Sequence, residues 1–252
     1  MSFDEYEWKR AYEKRRKIRR RRIFWGRIKM ALLTVLITSA IVCGTIFGFD
    51  LFAEKRYDKG FSPAPLGVSL SKRVKKAKNL EVPYWIDVQI IHKHSTARTG
   101  TYLNDIENIV IHYVGNPNTT AQNNRNYFDK NSTAVSSHFI VGLEGEIIQC
   151  VPIFERSAAS NNRNGDTISI EVCHPDSSGK FSKTTYQSVV KLTAWLCKEF
   201  DLTEKDVIRH YDITGKACPK YYVENEGEWK SFLKDVKNEI GNTKYKNAVR
   251  SY

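Results

Sequence analysis

Apolar residues along the chain follow three patterns, and each predicts a different element. Near the N-terminus one unbroken run, Met30 to Phe49, holds 20 residues without a charge. Farther on, short apolar runs bounded by turn residues predict a lead-in strand or extended arm at 85–91 and strands at 109–112, 136–142, 145–151, 167–173 and 207–210. Ile168, Ile170 and Val172 alternate onto one face, and the pair of runs around Leu143-Glu144 predicts a hairpin closed by Gly142 and Gly145. The third pattern has helical period. It covers 121–128, with Thr119 as a candidate N-cap, and a longer stretch carrying Tyr186, Val189, Val190, Thr193, Leu196, Cys197 and Phe200 behind a Thr184 or Thr185 cap. Trp229, Phe232, Leu233, Val236 and Ile240 mark a closing amphipathic helix. Strands interleaved with helices predict an α/β fold, a mixed central sheet covered by helices.

Charge divides the chain. Residues 1–29 carry twelve Lys/Arg against four acids, +8 of the whole chain's +12. The basicity therefore belongs to the N-terminus and not to the folded body. The uncharged run that follows is long enough, as a helix, to cross a hydrocarbon core of roughly 30 Å. Lys/Arg crowding ahead of it puts the N-terminus in the cytoplasm and exports the rest. A cleaved signal peptide fits less well, because the run is long and ends in Phe49-Asp50-Leu51-Phe52 without a small-residue cleavage site. The block Arg15-Arg16-Lys17-Ile18-Arg19-Arg20-Arg21-Arg22 reads as an orientation signal lying near anionic lipid, and no nucleic-acid partner is expected.

The predicted organisation is a basic cytoplasmic tail (1–29), a single transmembrane helix (30–52), an extracytoplasmic linker (53–81), one folded domain (82–241) and a polar tail (242–252). The linker is assigned from its charge, its Pro63 and Pro65, and the run Lys72-Arg73-Val74-Lys75-Lys76.

Five cysteines do not form a disulfide framework. Cys43 lies in the span, and Cys150, Cys173 and Cys197 lie in apolar runs as small buried hydrophobes. Cys218 stands among polar residues, eight positions after His210, which closes one strand. His112 closes another. Two imidazoles and a thiol suit zinc, and three protein ligands with a fourth position left open is the catalytic pattern. Either histidine alone would read as a satisfied core residue. Glu171 sits inside an otherwise apolar strand, where an unpaired carboxylate is costly. It is either half of an ion pair with Arg209 or Lys216, or a general base acting on water. Lys216, two residues before Cys218, is either a solvated lysine or a group that stabilises an oxyanion. His138 reads as a packing residue, and His92, His94 and His174 as surface or loop histidines.

Four segments in order carry a resemblance: Ile-Val-Ile-His-Tyr-Val-Gly-Asn at 109–116, Ser-Ser-His-Phe-Ile-Val-Gly at 136–142, Ile-Ser-Ile-Glu-Val-Cys-His-Pro at 168–175 and Arg-His-Tyr-Asp-Ile-Thr-Gly-Lys-Ala-Cys-Pro at 209–219. Over about residues 85–240 the chain resembles the zinc-dependent N-acetylmuramoyl-L-alanine amidases of Firmicutes and their phages, relatives of phage lysozyme-amidases and peptidoglycan recognition proteins. The resemblance implies that fold for 82–241. It implies zinc on His112, His210 and Cys218, Glu171 as catalytic base and Lys216 as transition-state partner. The implied reaction is hydrolysis of the amide between N-acetylmuramic acid and L-alanine of the stem peptide. Two departures accompany it. Val135-Ser136-Ser137-His138 stands where some relatives place a tyrosine, and Arg156-Ser157-Ala158-Ala159-Ser160 replaces a loop that often holds a histidine.

The expected protein is thus a membrane-anchored, autolysin-like cell-wall hydrolase whose partners are peptidoglycan and the membrane, with its catalytic domain outside the cell membrane. One rival is a peptidoglycan receptor of the same fold without catalysis, and another is a membrane scaffold acting through its basic tail.

Overall fold

The computed structural model of the chain describes residues 70–93 and 96–242. The predicted basic tail and span, most of the linker, Cys43, His94 and the chain beyond residue 242 lie outside the described residues. Among the described residues no helix is long and apolar enough to cross a membrane.

Six strands form one sheet: β1 (Ile86–Val88), β2 (Asn108–Tyr113), β3 (Phe139–Val141), β4 (Ile147–Gln149), β5 (Thr167–Val172) and β6 (Val207–Arg209). Their order is β1-β4-β3-β5-β2-β6. β3 and β4 are the expected antiparallel hairpin, and every other neighbouring pair is parallel. Parallel neighbours need crossovers, which helices supply here. α2 (Ala121–Phe128) lies between β2 and β3, and α3 (Lys183–Glu199) lies between β5 and β6.

Interior parallel strands are covered on both faces, so they read as continuous apolar runs. Ile109, Val110 and Ile111 are all fully buried. One face joins Ile109, Ile111, Ile168, Ile170 and Val172 to the main core under α3. The period of two turns Val110, His112, Ser169 and Glu171 to the other face. α2 covers part of that second face, where Ala121 and Phe128 pack with Ile140, Ile148 and Cys150. α6 (Glu226–Gly241) lies against α3 through Trp229, Phe232 and Val236.

Both expected caps shift by a few residues. Thr120, not Thr119, caps α2: its Oγ1 accepts the Asn123 N–H while the Asn123 side chain accepts its own N–H. Thr119 donates to the Asn116 carbonyl instead. Ser182, not Thr184 or Thr185, caps α3 by accepting the Thr185 N–H.

The domain also begins earlier than residue 82. Helix α1 (Lys72–Lys78) lies in the stretch assigned to the linker, with Val74 and Ala77 buried in the main core. The Arg73 guanidinium donates to the carbonyls of Ile106 and Asp201, and Lys76 pairs with Glu199 at 3.3 Å. Five cations in seven residues hid a short amphipathic helix whose cations are partly used as ties.

Candidate metal centre

The sheet's parallel strands bring the chemical residues to one end of the sheet. His112 is the penultimate residue of β2. His210 follows β6 directly and, instead of ending the strand, opens the short helix α4 (His210–Thr214). Asp212 drives that turn by accepting the Arg209 N–H at 2.8 Å and pairing with its guanidinium. Gly215 ends α4 with φ of 74°, a left-handed value that glycine adopts without strain. The chain then doubles back, the Tyr211 N–H donating to the Cys218 carbonyl at 2.9 Å. This fold-back places Cys218 beside a histidine it follows by eight residues. Pro219 comes next, through a cis peptide bond, and starts the approach to α5 (Lys220–Glu224).

His112, His210 and Cys218 are all buried, and one ligand atom from each lies within 4.8 Å of the others. The imidazole centroids are 4.6 Å apart, and Cys218 Sγ lies 3.9 Å from His112 Nδ1. Burial, the neighbouring His210 and the Lys216 ammonium hold the His112 ring well below the ordinary histidine range. Burial and Lys216 lower His210 in the same direction. Both rings are therefore neutral and offer a lone pair. Burial, reinforced by Glu171, pushes the Cys218 thiol up to about 12. A thiol in that setting becomes a thiolate when a cation binds beside it. The Tyr113 backbone N–H already donates to Cys218 Sγ. Two neutral imidazoles and a thiol with a waiting donor form a set that suits a borderline-soft divalent ion.

Glu171 pairs in register with His112 across β5 and β2. Its Oε2 is buried without a hydrogen-bond partner among the described residues. Burial raises this carboxyl to about 8, with Lys216 pulling it back. The alternative ion pair with Arg209 does not form. That guanidinium is taken by Asp212 and by Glu226 at 2.7 Å, and lies between the rings of Tyr211 and Trp229. Lys216 is exposed on the loop between α4 and Cys218, close enough for its charge to act on His112, His210, Glu171 and Cys218. The structure thus brings together all five residues singled out in the sequence.

The other histidines divide differently. His138 is fully buried, its Nε2 2.8 Å from the Glu155 carbonyl and its Nδ1 3.0 Å from the Ser169 N–H. Burial lowers it to about 4. It is a packing residue, as expected. His92 is exposed and paired with Asp129. His174 departs from expectation: it is buried, with Nδ1 bonded to the Asp176 carbonyl at 2.6 Å and Nε2 unpartnered among the described residues. Its ring lies 5.1 Å from that of Tyr113, the residue after His112. Its place between the end of β5 and the polar run that starts at Asp176 gave no sign of that contact. Ser160 and Asn161, which touch both imidazoles, also escaped the sequence reading.

Residues 102–221 match the family model described as N-acetylmuramoyl-L-alanine amidase. This domain belongs to that amidase family. The CwlL amidase of Bacillus licheniformis is 30% identical over a 162-residue alignment that covers 58% of this chain and 44% of CwlL. The BlyA amidase of Bacillus subtilis (strain 168) is 31% identical over a 161-residue alignment that covers 56% of this chain and 43% of BlyA. The chain spans less than half the length of these curated relatives. Among solved structures, PlyL aligns at 26% identity with a TM-score of 0.55, over 61% of this chain and 98% of PlyL. A mutant endolysin from Bacillus subtilis shares the fold at 24% identity and a TM-score of 0.53, over 60% of this chain and 97% of its own. The amidase match contains His112, Glu171, His210, Lys216 and Cys218, while α1 and α6 lie outside it.

Proposed function

We propose that the amidase domain cleaves peptidoglycan at the amide between N-acetylmuramic acid and L-alanine of the stem peptide, with zinc held by His112, His210 and Cys218. The observation that carries this reading is the convergence of those three donors within 4.8 Å, next to a buried carboxyl with one oxygen unpartnered among the described residues. Bound there, zinc supplies a Lewis acid for the scissile carbonyl and acidifies water.

The chain's own residues supply the rest. Glu171 Oε2 has no partner among the described residues to displace, so it accepts the proton of the attacking water and returns it to the leaving L-alanine nitrogen. Burial raises its carboxyl in the metal-free fold, and a cation held by the three donors would draw it back toward the charged form that accepts a proton. The Lys216 ammonium, whose charge is felt at His112, His210, Glu171 and Cys218, stabilises negative charge growing on the carbonyl oxygen.

The cellular setting completes the proposal. Residues 30–52 anchor the protein, the basic tail faces the cytoplasm near anionic lipid, and the domain stands outside the membrane where peptidoglycan lies. The uncharged run and the Lys/Arg asymmetry support this topology.

The full chain, solubilised in mild detergent, is incubated with purified peptidoglycan. The expected product is stem peptide with a new L-alanine N-terminus, abolished by Glu171→Gln. Retention of peptidoglycan without any amide cleavage would replace the hydrolase by a receptor of the same fold.

A further inference from the structure

The loop that feeds β5 crosses the polar face of the sheet and touches it at three points. Ser157 Oγ meets Ser169 Oγ at 2.7 Å, Ser160 Oγ lies 3.5 Å from His112 Nε2, and the Arg163 guanidinium donates to Asn108 at the start of β2. Immediately after Ser160, Asn161 Oδ1 lies 3.0 Å from His210 Nε2. Two consecutive residues therefore reach the two imidazoles, each at the same ring nitrogen.

We propose that the Ser160–Asn161 step positions both histidine ligands, fixing each ring with Nε2 as hydrogen-bond donor and Nδ1 free for the metal. A carboxamide oxygen can only accept, so His210 Nε2 carries the proton in this contact and its lone pair is on Nδ1. For His112 the geometry agrees independently, because Nδ1 is the nitrogen on the Cys218 side and Nε2 the one on the Ser160 side. A ring held by its outer nitrogen keeps its tautomer and orientation, and outer partners of this kind typically contribute 10–100-fold to metal affinity.

The loop is built to hold this pose. Asn161 has φ of 53°, a left-handed conformation that asparagine tolerates better than most residues. The Asn164 side chain accepts the N–H groups of Ala159 and Ser160, at 3.1 and 2.6 Å, and the Asn164 N–H returns to the Asn161 carbonyl at 3.2 Å. Ser160 is fully buried, so its hydroxyl has a fixed set of neighbours. This is the segment whose Arg156-Ser157-Ala158-Ala159-Ser160 departs from the histidine-bearing loop of related amidases.

The inference rests on the three-ligand zinc reading, and its test separates the two. Zinc stoichiometry, dissociation constant and release rate are measured on the detergent-solubilised full chain by competition with a chromophoric chelator. Asn161→Gly keeps the left-handed backbone and removes the acceptor; Asn161→Asp keeps both. The expected result is a loss of affinity of about 10–100-fold in Asn161→Gly, through faster release, with Asn161→Asp within about threefold of the parent. Ser160→Ala should give a smaller loss, as its contact is longer. The melting temperature of the metal-free variants checks that the loop change has not unfolded the domain. The cobalt-substituted visible spectrum should change in Asn161→Gly and be restored in Asn161→Asp. Equal affinity in the parent and Asn161→Gly, or equal losses in the Gly and Asp variants, would overturn the positioning role while leaving the zinc site intact. A parent that binds no stoichiometric zinc would overturn the ligand assignment and the positioning role together.

Discussion

His112 and Glu171 are register partners on adjacent parallel strands, one turning an imidazole and the other a carboxyl oxygen unpartnered among the described residues toward the same end of the sheet. Because register fixes which residues stand side by side, this placement needs no loop to achieve it. The proposed metal donor and the proposed proton acceptor are both held by paired strands inside the sheet.

Separating those two roles is the first expectation. Glu171→Gln should lower the rate of amide cleavage by roughly 10²–10⁴-fold, the usual contribution of a positioned acid–base group, with zinc content unchanged. Cys218→Ala should lose zinc itself, by more than the roughly 10–100-fold that outer partners contribute. Metal analysis after dialysis, beside stem-peptide release, distinguishes the two patterns.

The metal-free domain should show a pH signature of Glu171. Its carboxyl is raised from the ordinary 4.5 to about 8 in the fold. Between those values the unfolded chain releases the proton first, so this contribution is intact below pH 4.5 and is lost as pH rises through 8. Melting temperature followed from pH 5 to 8.5 should decline for this reason. In Glu171→Gln that component of the decline should vanish.

His138 gives the opposite slope. Burial lowers it to about 4 from an ordinary 6.5, so its contribution is complete above pH 6.5 and is lost as pH falls through 4. Acid unfolding midpoints should move to lower pH in His138→Gln, provided the amide keeps a bond to the Glu155 carbonyl or to Ser169. Loss of both bonds would instead destabilise the variant at every pH, by about 1–3 kcal/mol per orphaned group.

Helix α1 should behave as part of the domain. Val74 is fully buried in the main core, and Val74→Asp places a charge there without a partner. A destabilisation of about 3 kcal/mol or more is expected, read from denaturant unfolding, with zinc affinity of the still-folded fraction unchanged. If Val74→Asp unfolds like the parent, α1 is not an integral part of the domain.

How much of this was legible in the sequence depended on the range of the interaction. Ile109–Ile111 and Ile168–Val172 could be read because buried parallel strands and alternating faces are local patterns, and α3 and α6 because their apolar period is local too. His112, His210 and Cys218 were legible as a set because two stand at strand ends and the third follows within one short loop. α1 was not, since its two buried residues, Val74 and Ala77, are set among five cations. His174 was not, because its burial comes from Tyr113 on another strand. Ser160 and Asn161 carry no spacing signal, as their partners lie 48 and 49 residues away.

The tie of Arg73 to the Ile106 carbonyl lies just ahead of β2, whereas His112 lies near that strand's far end. The chain therefore enters its folded part at one end of the sheet and presents its chemistry at the other, about 20 Å away at 3.3 Å per strand residue. A pull on the chain ahead of α1 would be borne by that helix and the strand starts before it reached His112, His210 and Cys218.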